Sequence, residues 1–251
     1  MTETPLFRST LRLADNALVL GHRLSEWVGH APVLEEDLAL GNLGLDLIGQ
    51  ARAFYAYAGE IEGRGRGEDA LAYLRDAGEY RNVLLVEQPN GDFAATMMRQ
   101  LFYSAFAHPF FEALQKSRDA TLAAIAAKAV KEMAYHVRHS AEWLIRLGDG
   151  TDESHRRAQV AADDLWTYTG ELFEIDAVER ALIEAGIAPD TATLRAPFDK
   201  TIDEVFTEAT LQRPGAGFMQ SGGRDGRHSE HLGFILAELQ FLQRAYPGAK
   251  W

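Results

Sequence analysis

The chain has 251 residues, 47% of them apolar, which suffices for a sizeable core and rules out wholesale disorder. Its 25 basic against 37 acidic residues leave a net charge of −12, which repels polyanions and speaks against nucleic acid or an anionic membrane surface as a partner. The lack of any cysteine removes disulfides, thiolate catalysis, iron–sulfur clusters and cysteine-ligated zinc, so a metal would need histidine and carboxylate ligands.

No apolar run approaches the roughly 18 residues needed to cross a bilayer. Glu3, Arg8 and Arg12 interrupt the stretch where a signal peptide would place its apolar region. A cytoplasmic protein is the expectation.

From Leu11, the stretch "LRLADNALVLGHRLSEW" places Leu13, Ala17, Leu20 and Leu24 at helical spacing, and "GHAP" breaks the chain before Val33. The second helix, Leu34 to Gly59, carries Leu43, Leu47, Ala51 and Phe54 on one face and returns antiparallel to the first. Gly41, Gly44 and Gly49 inside it cost about 1 kcal/mol each, which points to a closely approaching neighbour or a local irregularity. Residues 59–92 read as a long crossover with a glycine-arginine loop, one short amphipathic helix, a short strand candidate at Val83–Val86 and a Pro-Asn-Gly turn. A third helix follows from Phe93 to Leu114, bent near Pro109, and a fourth from Arg118 to Leu147. Further helices are expected over Glu153–Phe173, in "DAVERALIEAGI", near Phe198 and over Ser229–Tyr246.

Four long helices with one long middle connection have the connectivity of ferritin-like bundles. The expected fold is therefore all-α, a ferritin-like four-helix bundle with additional C-terminal helices. One domain is expected over 1–251, with a core near 8–148 and accessory helices near 153–246.

Such bundles build di-iron sites from a carboxylate on each of two helices and a carboxylate-x-x-His motif on each of the other two. Residues three apart share a helix face, so the carboxylate bridges the metals while its histidine caps one. Here an acid precedes a histidine by three at Asp152/His155 and Asp225/His228, both in turn-rich sequence at helix starts. The core helices offer Asp46 followed by Gly49 and Glu132 followed by Tyr135, so the carboxylate is present and the histidine missing. The antiparallel return near Pro32 is expected to bring Asn16 level with Asp46, and Tyr103 to pass toward Glu132. The resulting set of Asn16, Asp46, Gly49, Tyr103, Glu132 and Tyr135 holds two carboxylates where four are normal, a vestigial site that would not retain two irons.

Glu132, His136 and His139 share one stripe with Trp143, and two readings of it stand. One is a mononuclear metal site using Glu132, His136 and Asp46, which would make the chain a metal-dependent oxygenase. The other is a polar-aromatic stripe buried against neighbouring helices, its histidines hydrogen-bonded, beside an apolar stripe through Met133, Val137, Ala141 and Leu144. Two basic glycine-containing loops add candidates for a phosphate or coenzyme A contact: Arg64 with Arg66, and Arg224, Arg227 and His228 with His231. Backbone amides in glycine turns and arginine forks suit phosphate oxygens, although an ordinary solvated turn has the same composition.

The stretches "LGHRLSEWVGHAPVLEEDLALGNLGLDLIGQAR", "NVLLVEQPNGDFAATMMRQ", "KEMAYHVRHSAEWLIRLGDGT", "LWTYTGELF" and "GRDGRHSEHLGFILAELQFLQRAYPGAKW" resemble the structural subunits of bacterial phenylacetyl-CoA epoxidases over nearly the whole chain. The resemblance implies a ferritin-like fold and a homologous catalytic partner that carries the di-iron centre and binds the CoA thioester, with a reductase supplying electrons from NADPH. It implies that this chain binds no cofactor of its own, contributes no catalytic residue, scaffolds the complex and contacts phenylacetyl-CoA indirectly if at all. A homodimer of the isolated chain stays open.

Overall fold

In the computed structural model, residues 3–249 are described; Met1, Thr2, Lys250 and Trp251, the ends of the expected 1–251 domain, lie outside them. In chain order the α-helices are α1 (Pro5–Ser25), α2 (Leu34–Glu62), α3 (Glu68–Tyr73), α4 (Leu84–Glu87), α5 (Phe93–Leu114), α6 (Ala120–Gly148), α7 (Asp152–Trp166), α8 (Ala177–Glu184), α9 (Arg195–Glu208), α10 (Glu230–Leu239) and α11 (Phe241–Ala245). No strand occurs among the described residues. The fold class is all-α, and the long antiparallel pairs α1/α2 and α5/α6 are the hairpins of the ferritin-like class. No helix among the described residues is long and apolar enough to cross a membrane.

The chain forms two compact units, residues 1–89 with 222–251 and residues 90–221. Within the units, α7 and α9 pack on the α5/α6 hairpin, whereas α10 packs on α4.

In the first unit, α1 starts six residues earlier than Leu11, because Thr4 caps it by accepting from the Phe7 amide at 3.2 Å and Pro5 occupies its first turn. α1 and α2 approach closely at Gly21 and Gly44, where a Cβ on either would lie 3.2 Å from the other's carbonyl oxygen. This notch sets the register of the pair. Gly21 faces Leu47 and Ile48 while Asp15 reaches Tyr55, so Asp46 is level with Gly21 and not with Asn16 as expected from the position of the turn. Small residues at the crossing decide how two helices slide, and the connecting turn adapts.

Val83–Val86 is not a strand. Residues 84–87 form the single turn α4, buried throughout and followed by Pro89; a short apolar run carries no period that separates a buried strand from a buried helical turn. The last helix, expected unbroken over Ser229–Tyr246, is divided at Gln240, whose side-chain amide donates to the carbonyls of Arg75 at 2.9 Å and Ala72 at 3.2 Å.

In the second unit, α5 is capped by Asp92, which accepts from Ala95 at 2.9 Å, and its residues Thr96–Ala105 are all buried. A helix buried on all sides belongs in the middle of a core, and α6, α7 and α9 pack on it. α6 buries Leu122, Ala126, Ala129, Met133, His136, His139, Ser140, Leu144 and Gly148, so the two separate stripes expected on it merge: His136 and His139 lie among the buried residues, and Val137 and Ala141 are half-buried beside them. The helix expected to run to Phe173 ends at Trp166. There Thr167 accepts from Gln220 through its carbonyl at 2.8 Å and donates through its hydroxyl to Phe218 at 2.7 Å, so a distant segment takes over the backbone pairing.

Candidate functional site

Three of the expected vestigial positions belong to the first unit. Asn16 is buried, and its Oδ1 accepts from the Val83 amide at 2.8 Å, which ties the chain entering α4 to α1. Asp46 and Gly49 lie half-buried on α2. The buried carboxylate of this hairpin is the neighbouring Asp15. Its Oδ1 accepts from Tyr55 Oη at 2.5 Å and from Arg75, and its Oδ2 from the Arg81 amide at 2.7 Å and from Arg75 Nη1 at 3.1 Å. The Arg75 guanidinium also lies 4.3 Å from the centre of the Tyr80 ring. Burial, and after it the Asp15 charge, push the Tyr55 hydroxyl well above its ordinary pKa.

The other expected positions lie in the second unit. Tyr103 is buried, and burial raises the pKa of its hydroxyl. Glu132 Oε1 lies 3.3 Å from Lys128 Nζ one helical turn away. Tyr135 points outward, 40% exposed, with the Arg138 guanidinium 5.2 Å above its ring. His136 is fully buried and its Nδ1 lies 2.8 Å from Gln100 Nε2 on α5.

Four of the six expected positions offer neither a carboxylate nor an imidazole. The amide of Asn16 is committed to a backbone N–H, Gly49 has no side chain, Tyr103 is a phenol held in its protonated form, and Tyr135 faces out. Bridged irons ask for anionic oxygen and imidazole ligands converging from facing helices. Among the described residues no three His, Asp or Glu side chains are grouped so that they could hold a metal ion. The two acid-x-x-His pairs are structural: His155 Nδ1 lies 2.8 Å from the Gly148 carbonyl at the end of α6, and His228 turns toward Glu87.

The arginines of the two basic loops are held as follows. In the first, Arg66 is bound by Glu62 with contacts of 2.8 and 2.5 Å, and Arg64 lies 3.8 Å from the same carboxylate. The hydrogen bond from Arg66 holds the Glu62 carboxyl below its ordinary pKa. In the second loop, Arg224, Arg227 and His228 do not converge. Arg224 is buried, Arg227 is 76% exposed, and both ring nitrogens of His228 are engaged inside the first unit. Gly223 of this loop packs against backbone, since a Cβ there would overlap the Asn82 carbonyl.

Two buried ionic clusters, Asp15/Arg75 and Glu87/His228, were not legible in the linear pattern. Partners 60 and 141 positions apart leave no local spacing signal.

The family described as phenylacetic acid catabolic protein matches residues 1–251. Among curated proteins, a subunit of the 1,2-phenylacetyl-CoA epoxidase of Escherichia coli (strain K12) is 54% identical over 242 residues, covering 96% of this chain and 97% of that protein.

Proposed function

The chain belongs to the phenylacetic acid catabolic protein family, and from that membership we propose that it is a non-catalytic subunit of a phenylacetyl-CoA epoxidase. In this reading it scaffolds a homologous subunit that holds the di-iron centre and performs the ring 1,2-epoxidation. Electrons reach that subunit from NADPH through a reductase, and this chain binds no cofactor of its own.

The observation that carries the non-catalytic part is the poverty of metal donors on the long helices. Asp46 and Glu132 are followed three residues on by Gly49 and Tyr135, where a ligating histidine would share their face. Membership of a complex is supported by the near full-length likeness to a protein named as one subunit of the epoxidase. It is also supported by an apolar row on α2, where Leu34, Leu38 and Leu45 are 71%, 61% and 66% exposed and lie within one helical face. Rows of large apolar side chains in water mark surfaces that are covered in an assembly.

Co-expression with a homologous di-iron subunit, followed by size analysis and iron determination, tests the proposal. A stable complex whose iron belongs entirely to the partner is expected. About two irons per chain and oxygen reactivity in this protein purified alone would overturn it.

A further inference from the structure

The segment from Gly222 onward returns to the first unit, and His228 joins it there to two acceptors at once. Nδ1 lies 2.8 Å from Glu87 Oε2 and Nε2 lies 3.0 Å from the Tyr80 carbonyl oxygen. The side chains are almost closed to water, 4% exposed for His228 and 0% for Glu87. An imidazole that faces an acceptor with each nitrogen needs a proton on each; a ring with one proton turns a lone pair toward one of the two oxygens. The Glu87 carboxyl is surrounded by donors: its Oε1 accepts from the Ser229 amide and hydroxyl, both at 2.7 Å, and its Oε2 from Asn82 Nδ2 at 2.9 Å as well as from His228.

We propose that the C-terminal segment 222–245 is fastened by a proton-dependent latch in which doubly protonated His228 bridges Glu87 on α4 and the Tyr80 carbonyl, and that loss of one ring proton loosens the start of α10.

Charged groups of both signs surround the ring. Besides Glu87, the charge of Asp15 on α1 favours the protonated ring, and Asp15 is itself paired with Arg75. Arg81 donates to the Tyr80 carbonyl at 2.7 Å, and Arg23 on α1 donates to the Glu87 carbonyl at 2.8 Å. On the segment itself, Arg8 on α1 holds Asp225 at 2.8 Å, Arg227 points to solvent, and Glu230 and His231 follow on α10. Burial works against the charge, but the hydrogen bond and charge of Glu87, together with the Tyr80 carbonyl and Asp15, raise the pKa of His228 above the ordinary histidine value. The fastening is therefore complete below that ordinary value and is lost as pH rises through the raised one. Release is local, because Leu232, Ile235 and Leu236 remain buried and Gln240 keeps its two carbonyl partners.

Amide hydrogen exchange of the full chain at about pH 6 and about pH 8.5, corrected for intrinsic rates, tests the latch. Protection of residues 229–236 should fall about tenfold at the higher pH, the scale of one charge-assisted hydrogen bond, while amides of α5 and α6 keep theirs. In His228→Gln, protection of 229–236 should be low at both values. Equal protection of the wild-type segment at the two values, or an unchanged pH dependence in His228→Gln, would overturn the proposal. Should that variant fail to fold, nitrogen chemical shifts of the histidine rings in the wild type decide: a singly protonated His228 ring at about pH 6 refutes the latch.

Discussion

Gln100 on α5 and His136 on α6 meet 2.8 Å apart through Nε2 and Nδ1, with both side chains shut off from water. With the amide nitrogen donating, Nδ1 is the acceptor, and the histidine is part of the packing between the two helices. A residue used this way serves the core row of α6, in line with Met133 before it and Ser140 after it.

Replacing His136 with Ala should therefore act on stability. It removes ring volume from the core and strands the Gln100 amide, at a cost of about 1–3 kcal/mol for the unsatisfied group plus a cavity term. Urea denaturation measures the loss. Metal content of the purified variant should equal that of the wild type; a metal present in the wild type and missing in the variant would favour a site at Glu132, His136 and Asp46.

The Asp15/Arg75 pair lies at the centre of the first unit, with side chains 0% and 3% exposed. Asp15→Asn leaves the Arg75 charge buried without its counterion and should lower stability by about 3–5 kcal/mol. Adding Arg75→Met should restore part of that loss, because the second change removes the orphaned charge. A double-mutant cycle in urea in which the two losses simply add would show that the pair is not coupled.

Burial raises the hydroxyl pKa of Tyr55, Tyr80 and Tyr103 in the folded chain. An ultraviolet alkaline titration should then show these three of the eight tyrosines silent until the chain unfolds. The unfolded chain ionises them near the ordinary value of about 10, so stability should fall as pH rises beyond it. A titration in which all tyrosines ionise together while the fold persists would contradict this.

Two glycines should respond to alanine in opposite directions. At Gly148 the new Cβ would overlap the Ala209 carbonyl, and Gly148→Ala should destabilise by at least about 2 kcal/mol. At Gly233, inside α10, nothing lies within 4 Å of the new atom, and Gly233→Ala should stabilise by about 0.5–1 kcal/mol through helix propensity. Thermal melts of the two variants read both signs.

The long helices were legible in the chain because their signals are local. Phe93–Leu114 matches the sequence expectation at both ends: Asp92 caps it three residues from Ala95, and its apolar side chains need only a core to enter. The missing histidines of the expected vestigial set could also be counted directly from i, i+3 spacing. The alignment of Asn16 with Asp46 could not, since the Gly21/Gly44 notch sets how far α2 slides along α1.

By itself, then, the sequence determined the helical class, the two long hairpins and the shortage of imidazole and carboxylate beside Asp46 and Glu132, because periodicity, capping and spacing act within a few residues. Only the tertiary structure decided that Asp15 finds Arg75, that Glu87 finds His228, and that the last helix divides at Gln240. Buried charges and backbone carbonyls take whichever partner folding brings within about 3 Å, and no pattern along the chain encodes that meeting.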